Sequence, residues 1–504
     1  MPRGKTASSL DLPLPATFPL AGNRSKRDCI VDAIRHAIST GLLPAQGDLP
    51  SSRTLAERWQ VSRGTVEAAF DQLHSEGYVT RTHGSGTRVS AIVPDSFLPP
   101  PSSAGGGRGP AEKTADAVQD ARLPAASPDS PVRAGVPFVA RLAAPELLQQ
   151  SPWQKHSTEA AKGESAADAG STPLRGLESL RQQIVAYLGA FRGLSCRPED
   201  IFITSGIRYA IDAVARVVLT PGSKAAIEDP GYPGARRIVE LAGASTIDVP
   251  VDEHGMRVAE LEQHPDVSLV YITPAHQSPL GVSLSIDRRE TLLDWAHAHR
   301  AWIIEDDYDG EFSFQSAPLP ALKSQDRHQR VIYCSSFNKT VHAGLRVGFM
   351  VIPAALQPRV LALWQTIGSP VSATVQRALA SFMASGDFAS HLRRSRQAYQ
   401  QRRDVVLREL DRHAREHITV TGSHAGFHFV LWLNWLKDGM DEQAIVTQAA
   451  AAGIELQPLA SLCRNVSFGP AFIVGYSALS LAQARFFGRE LGSILRAHAD
   501  LAAC

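Results

Sequence analysis

VIYCSSFNKT, residues 331–340, joins an apolar run to a lysine, and WIIEDDY, residues 302–308, joins another apolar run to an acidic cluster. Similar β-prone runs occur earlier, separated by helical patterns, at 201–204, 224–227 and 268–273. Strands that alternate with helices predict a mostly parallel sheet with helices on both faces. Lys339 and Asp306 then follow the carboxyl ends of two strands, where ligands bind in such sheets.

These two residues suit one cofactor chemistry. Pyridoxal phosphate (PLP) is held as a Schiff base on a lysine amine, and a carboxylate keeps its ring nitrogen protonated so that the ring accepts electrons. Side chains at i and i+2 of an extended segment share a face, so Tyr308 accompanies Asp306 and can pair with the ring hydroxyl. An acidic loop after a strand is the structural alternative for these carboxylates.

Candidate phosphate ligands surround the same lysine. A helix N-terminus presents backbone N–H groups to an anion, and Ser205, Gly206 and Ile207 open a predicted helix. Ser336 adds a hydroxyl, and Arg346 adds a guanidinium that can bind phosphate in bidentate fashion. Taken alone, each of these candidate phosphate ligands is explained by a turn or a surface charge. The prediction of a phosphate site therefore rests on their occurrence around one lysine.

The N-terminal segment has helical patterns followed by two short β-prone runs. Ile30, Ile34 and Ile38 fall on one face of a first helix, and Ser51 and Ser62 are candidate N-caps for a second and a third. The β-prone runs flank Gly-Ser-Gly, which favours a hairpin. Three helices and a hairpin predict an α+β winged helix-turn-helix over residues 1–92.

Such a head predicts DNA contacts at defined positions. The N-terminal residues of the third helix should face base edges in the major groove, which indicates Ser62, Arg63 and Thr65. Arg53, at the start of the second helix, is placed to bind phosphate. The candidate contacts of the wing are Gly84, Gly86 and Thr87. Solvated charges at helix ends are the alternative interpretation of Arg53 and Arg63.

The composition changes twice along the remaining chain. Pro, Gly, Ala and Ser dominate residues 93–131, which have too few large apolar side chains to form a core, so a flexible linker is predicted there. Residues 132–504 then form the α/β body. From about residue 387, an Arg-rich helical pattern followed by an apolar run at 427–432 predicts a small C-terminal α+β subdomain.

Length and composition limit the class of protein. A chain of 504 residues with 44% hydrophobic and 20% charged residues is globular and multidomain. The net charge is only +1, although residues 1–92 carry eleven Lys/Arg against eight Asp/Glu. Five cysteines without C-x-x-C spacing predict neither a disulfide framework nor a metal site. No apolar stretch is long enough for a membrane span, so a soluble cytoplasmic protein is expected.

These motifs resemble fold-type I aminotransferases and, more closely, the MocR group of the GntR-type regulators, in which a winged helix is fused to an aminotransferase-like domain. The resemblance covers nearly the whole chain outside the linker. The segments similar to the GntR-type head are 49–53, 61–66 and 84–87. Those similar to the MocR body are 229–232, 273–277, 304–312 and 337–340.

The resemblance implies roles for individual residues. Lys339 is then the Schiff-base lysine, Asp306 the ring-nitrogen partner and Tyr308 the ring-hydroxyl partner. Further residues implied at the phosphate or in the pocket are Ser205, Ser336, Arg346, His276 and Gln277. Tyr232, in Asp-Pro-Gly-Tyr, is a candidate to cover the ring face, with packing of a Pro-rich loop as the alternative.

Two positions depart from the family pattern. Arg208 stands where Gln is common, on the phosphate side. Ile473 stands where α-amino-acid aminotransferases generally place the arginine that binds the substrate carboxylate. An apolar side chain cannot bind a carboxylate, so ordinary transamination of amino acids is not expected. Arg464, in a nearby loop, is the remaining candidate for that role.

The sequence thus predicts a transcription regulator that binds double-stranded operator DNA and senses an amine, an amino acid or PLP. Fold-type I domains are usually dimers, so a homodimer with two DNA heads is expected, which would raise avidity. Two alternatives stay open. One is an active class I/II aminotransferase with an appended head, and the other is a DNA-binding protein whose body serves only for dimerisation.

Overall fold

The structure is a computed structural model that describes residues 25–82, 86–91, 138–139, 143–163, 172–314, 319–436 and 442–503. It divides into two compact units, Met1–Gln119 and Asp120–Cys504. The predicted linker, residues 93–131, lies outside the described residues. In the part of the chain that is described, no helix is long and apolar enough to cross a membrane.

The first unit contains the predicted winged helix-turn-helix, which is confirmed. Its elements are α1 (Lys26–Ser39), α2 (Ser52–Trp59), α3 (Arg63–Ser75), β1 (Val79–Thr82) and β2 (Gly86–Val89). Ser51 and Ser62 are N-caps, since their hydroxyls accept the N–H groups of Thr54 and Thr65 at 3.2 and 3.1 Å. The apolar stripes of the three helices meet in one core, in which Ile34, Leu55, Val66 and Phe70 are buried.

The second unit is built on an eight-stranded sheet. Its strands are β3 (Ile201–Thr204), β4 (Lys224–Asp229), β5 (Ser245–Asp252), β6 (Gly255–Met256), β7 (Val267–Ile272), β8 (Trp302–Asp307), β9 (Val331–Ser336) and β10 (Gly348–Val351). The order is β3-β10-β9-β8-β7-β4-β5-β6. From β5 to β9 the neighbours run parallel, whereas β10 is antiparallel to both β3 and β9 and β6 is antiparallel to β5. The predicted mostly parallel sheet is confirmed.

Helices accompany this sheet, and in the sequence they precede, separate and follow its strands. They are α4 (Pro145–Gln149), α5 (Trp153–Lys162), α6 (Glu178–Arg192), α7 (Ile207–Val218), α8 (Pro233–Leu241), α9 (Ile286–Ala298), α10 (Phe337–Thr340), α11 (Gln357–Ile367) and α12 (Ala373–Ala384). Separate buried clusters, one containing Phe202 and Trp364 and another containing Trp295, pack against the strands. Because the central strands are buried on both faces, they lack the alternation of a half-exposed strand.

A smaller antiparallel sheet forms the predicted C-terminal subdomain, which begins with the 28-residue helix α13 (Asp387–Ala414). The other elements are β11 (Ile418–Thr421), β12 (His428–Leu433), α14 (Gln443–Ala451), β13 (Gln457–Pro458), β14 (Ala471–Gly475) and α15 (Leu481–Ala503). The strand order is β11-β12-β14-β13. Phe427, which precedes β12, and Val474 on β14 share one buried cluster with Ile203 and Phe349 of the larger sheet.

Candidate functional site

Lys339 lies on the single helical turn α10, which follows β9 directly. The Ser336 hydroxyl caps this turn by accepting the N–H of Asn338 at 3.2 Å. Phe337 and Thr340, on either side of Asn338 and Lys339, are buried. These contacts hold the half-buried Lys339 at the carboxyl end of β9.

Asp306 lies at the corresponding end of the neighbouring strand. In the parallel pairing of β8 with β9 it is opposite Cys334, so the two strands end at the same edge of the sheet. Its side chain is buried, and the hydroxyl of Tyr271, on β7, donates to its Oδ2 at 2.5 Å. Burial and the Asp306 carboxylate raise the pKa of Tyr271 well above its ordinary value, so the phenol stays a donor. Sequence reasoning did not select Tyr271, because only strand pairing brings it beside Asp306.

The next carboxylate of the acidic cluster, Asp307, is bonded to buried side chains of the core instead. Its Oδ2 lies 2.6 Å from Nε of the fully buried Arg192 and accepts the hydroxyl of Tyr333 at 2.5 Å. Adjacent residues of a strand point to opposite faces. Asp306 is therefore the carboxylate of this pair that lies on the side of Tyr271.

Tyr308 and the predicted pocket histidine lie together. The Tyr308 hydroxyl is 3.2 Å from Nδ1 of His276, and the same nitrogen is 2.7 Å from Oδ2 of Asp309. Gln277 is engaged within its loop, since its Nε2 donates to the Pro230 carbonyl at 2.8 Å. His276 thus contacts the ring-hydroxyl candidate, whereas Gln277 joins two loops of the pocket.

The predicted phosphate cradle depends on close backbone packing at the start of α7. Gly206 is the N-cap residue, with φ of 114°, and a Cβ there would lie 2.8 Å from Nδ2 of Asn338. Behind it, a Cβ on Gly348 would lie 2.9 Å from the Gly206 Cα. Ser205 and Ile207 are half-buried on either side. Backbone N–H groups at the start of a 12-residue helix, approached through glycine, fit a phosphate group.

We expect Gly206→Ala to weaken both the fold and the cradle. The backbone conformation at this position is essentially restricted to glycine, and forcing a side chain into it costs about 1–3 kcal/mol. Thermal unfolding should show the loss, and PLP titration should require about tenfold more PLP. Gly189→Ala is the matched control, because a Cβ at this position on α6 meets no atom within 4 Å. Equal PLP affinity in the two variants would contradict the cradle.

The other predicted cofactor residues are more open to solvent. Arg346 is exposed, with φ of 52°, and within the described residues its side chain has no ion pair or hydrogen bond. The Tyr232 hydroxyl accepts Nε of Arg208 at 2.7 Å. Arg208, which departs from the family pattern on the phosphate side, is therefore bonded to Tyr232, which is predicted to cover the ring face.

Ile473, at the position where aminotransferases generally place the carboxylate-binding arginine, lies in an apolar environment. Ile473 is fully buried on β14, in a cluster with Val430 and Leu459. Arg464 is exposed, and it is the backbone N–H that is held, donating to Oδ1 of Asp229 at 2.9 Å. Carboxylate recognition by either residue is thus not supported by their contacts.

The candidate DNA contacts of the helices already have acidic partners. Arg63 is the first residue of α3, with a side chain 69% exposed; its Nε lies 3.3 Å from the Ser52 hydroxyl and 3.8 Å from Glu67. Arg53, in the first turn of α2, is 80% exposed and lies 3.0 Å from Glu57. Contacts of these two arginines with DNA must compete with the two carboxylates.

The remaining DNA candidates differ in exposure. The hydroxyls of Ser62 and Thr65 hydrogen-bond each other at 2.7 Å at the start of α3. Gly86 has φ of 92° at the start of β2, whereas Gly84 lies outside the described residues. Thr87 is only 8% exposed, so a phosphate contact from its hydroxyl requires the wing to shift.

Glu67, which sequence reasoning did not select, lies on α3 and links it to α2 and β1 of the head. Its carboxylate accepts hydrogen bonds from the Ser52 hydroxyl on α2 and from Arg81 on β1, and Arg81 also bonds Asp71. The hydrogen bonds from Ser52 and Arg81 hold the pKa of Glu67 below its ordinary value. A negative charge is thereby kept one helical turn beyond Arg63 on the predicted recognition helix.

We expect Glu67→Gln to raise the affinity for random-sequence duplex DNA about fivefold at low salt, since removing a repulsive charge near a phosphate contributes about 1 kcal/mol. Fluorescence anisotropy with a labelled random duplex measures this effect. Glu76→Gln makes the same charge change just beyond the other end of α3, where Glu76 bonds Arg35. An equal gain in both variants would show that total charge, not the position of Glu67, is responsible.

Family comparisons agree with this two-part architecture. The model described as "Aminotransferase class I and II" matches residues 142–456, and the one described as "Bacterial regulatory proteins, gntR family" matches residues 26–89. The probable rhizopine catabolism regulatory protein MocR of Rhizobium meliloti is 31% identical, over 89% of this chain and 90% of that protein. The pyridoxine biosynthesis transcriptional regulator PdxR of Corynebacterium glutamicum is 33% identical, over 92% and 95%.

Solved aminotransferase structures resemble the body. A crystal structure of an archaeal alanine:glyoxylate aminotransferase has a TM-score of 0.65 and 25% identity, covering 72% of this chain and 91% of its own. The α-aminoadipate aminotransferase LysN of Thermus thermophilus, complexed with N-(5'-phosphopyridoxyl)-L-leucine, has a TM-score of 0.65 and 26% identity, covering 73% and 93%. With its winged head and aminotransferase-like body, the chain belongs to the GntR family of bacterial transcription regulators, in the MocR group.

Proposed function

We propose that this regulator holds PLP on Lys339, reads a specific DNA sequence, and senses an amine, an amino acid or PLP itself. The proposal rests on Lys339 and Asp306 lying at the ends of neighbouring strands, with Tyr271 donating to Asp306. Bound PLP would supply an aldehyde carbon on which amines exchange and a ring that accepts electrons. The residues proposed to hold it are Lys339, Asp306, Tyr308, Ser205, Gly206, Ile207, Tyr232, His276, Ser336 and Arg346.

Several of these residues have tasks that follow from their positions. The Asp306 carboxylate would keep the ring nitrogen protonated, and the hydroxyl of Tyr271 fixes the orientation of that carboxylate. Tyr308 would bond the ring hydroxyl, and the N–H groups at the start of α7 would bind the phosphate. Lys339 would bond the aldehyde carbon.

Sensing requires that ligand binding alter the arrangement of the two DNA heads of a cytoplasmic homodimer. A ligand shifts such an equilibrium only if it binds the two arrangements unequally. Arg53, Ser62, Arg63 and Thr65 are the proposed helix contacts with operator DNA. Since Ile473 cannot bind a carboxylate, PLP or an amine without a carboxylate is the favoured effector.

A joint titration tests the proposal. The purified protein is titrated with PLP and then with amines, while visible absorbance and binding of a duplex selected from a randomised library are followed together. We expect visible absorbance to appear with PLP and DNA affinity to change with the added amine. A protein that stays colourless in excess PLP would contradict the cofactor assignment. Multiple turnover of an amino donor and a keto acid would contradict a purely sensory role.

A further inference from the structure

His276 lies at a junction between the proposed cofactor pocket and the C-terminal subdomain. It is 3% exposed, and its Nδ1 faces two oxygens, Oδ2 of Asp309 at 2.7 Å and the hydroxyl of Tyr308 at 3.2 Å. Tyr308 and Asp309 both follow β8 of the larger sheet. One edge of the imidazole is therefore bonded to the residue proposed to contact the cofactor ring.

The other edge of the ring meets the loop between β11 and β12, residues 422–427. Burial lowers the pKa of His276, but the Asp309 carboxylate outweighs it and raises the pKa. The imidazole of His424 lies edge-on, with ring centroids 5.6 Å apart. His276 thus contacts two parts of the body that are about 110 residues or more from one another in sequence.

The glycines of this junction are closely packed. A Cβ on Gly426 would lie 2.4 Å from Oδ2 of Asp309 and 2.7 Å from Cε1 of His276. A Cβ on Gly281 would lie 2.6 Å from the Gly422 Cα. Because the contacts on both sides of the imidazole are this close, the ring cannot move without displacing the loop.

The Nδ1 edge of the ring is bonded, whereas its Nε2 edge is packed. Nε2 is buried and has no hydrogen-bond partner within the described residues, and a Cβ on Gly281 would lie 2.9 Å from it. The loop 422–427 therefore meets the imidazole by close packing, through Gly426 and His424.

We propose that His276 is a positioning residue that couples Tyr308 to the loop 422–427, so that a ligand displacing Tyr308 alters the packing of the C-terminal subdomain. This inference rests on the proposed binding of PLP at Lys339. It adds a physical route by which ligand binding in the pocket changes the packing at β11 and β12. The loop 422–427 is the element with two states. In one state it packs on an imidazole that is bonded to Tyr308, and in the other state that bond is broken.

Hydrogen exchange of the full-length protein with and without PLP tests the coupling. In the wild type, PLP should change the exchange rate of the amides of residues 422–427 by about threefold or more. His276→Gln, measured at a PLP concentration that gives its full visible absorbance, should lose this response, and it should shift the wavelength of maximum visible absorbance. His424→Gln is the control, because it removes a neighbouring ring that has no bond to Tyr308, and it should keep the response. A response in His276→Gln equal to that of the wild type, or an equal loss in His424→Gln, would overturn the coupling.

A second variant covers the case in which His276→Gln does not fold. Asp309→Asn keeps the imidazole and removes its charged partner, so it should likewise lose the response of residues 422–427. A wild-type response retained in Asp309→Asn would overturn the coupling. Absence of visible absorbance in the wild type with PLP would instead overturn the proposed cofactor binding, and absorbance without an exchange response would overturn only the coupling.

Discussion

We expect Lys339→Ala to abolish the visible absorbance predicted for the wild-type protein with PLP, and to release PLP on gel filtration. The reason is covalent: an alanine has no amine to bond the aldehyde, whereas the proposed phosphate and ring contacts would remain. Weak, reversible binding of PLP is therefore still expected. Lys155→Ala is the matched control, since Lys155 is an exposed lysine on α5.

Two measurements separate loss of the bond from loss of the fold. Thermal unfolding of Lys339→Ala without PLP should match that of the wild type, because the side chain is half-buried and α10 is held by Ser336 and Phe337. Binding of random duplex DNA should also be unchanged, because the head has its own core. Visible absorbance retained in the variant would show that another amine holds the cofactor.

We expect Arg63→Ala to lower the affinity for a selected duplex by roughly 5- to 150-fold, which corresponds to about 1–3 kcal/mol for a base contact in the major groove. The effect arises because Arg63 is the first residue of α3 and its side chain is 69% exposed. Affinity for random DNA should fall much less, since only phosphate attraction is lost there. The ratio of the two affinities is the quantity to measure.

Arg27→Ala controls for charge. Arg27 is also exposed and paired with an acid, Asp28, but it lies in the first turn of α1 rather than in the helix-turn-helix. Anisotropy at several salt concentrations should show that Arg27→Ala leaves the specificity ratio unchanged. If both variants reduce binding of selected and random DNA alike, Arg63 contacts phosphate only.

Sequence reasoning was most reliable where the signal is local. Ser51 and Ser62 were identified as N-caps from residue type and position, and the strands before Asp306 and Lys339 from their apolar runs. It missed residues whose roles come from pairing between distant segments. Tyr271 reaches Asp306 only through the register of β7 and β8, and Glu67 reaches Arg81 only because the hairpin folds back on α3.

The two-part architecture, the alternation of strands and helices in the body, and the candidate lysine and carboxylate could be read from the sequence, because these depend on periodicity, capping and residue type. The apolar runs did not include β5, β6 and β10, which the structure adds to the larger sheet. The tertiary fold was needed to find that Tyr271 bonds Asp306, that His276 bonds Tyr308 and packs against the C-terminal subdomain, and that Ile473 is enclosed by apolar side chains. Hydrogen bonds and burial depend on distances between segments far apart in the chain, which local patterns do not specify.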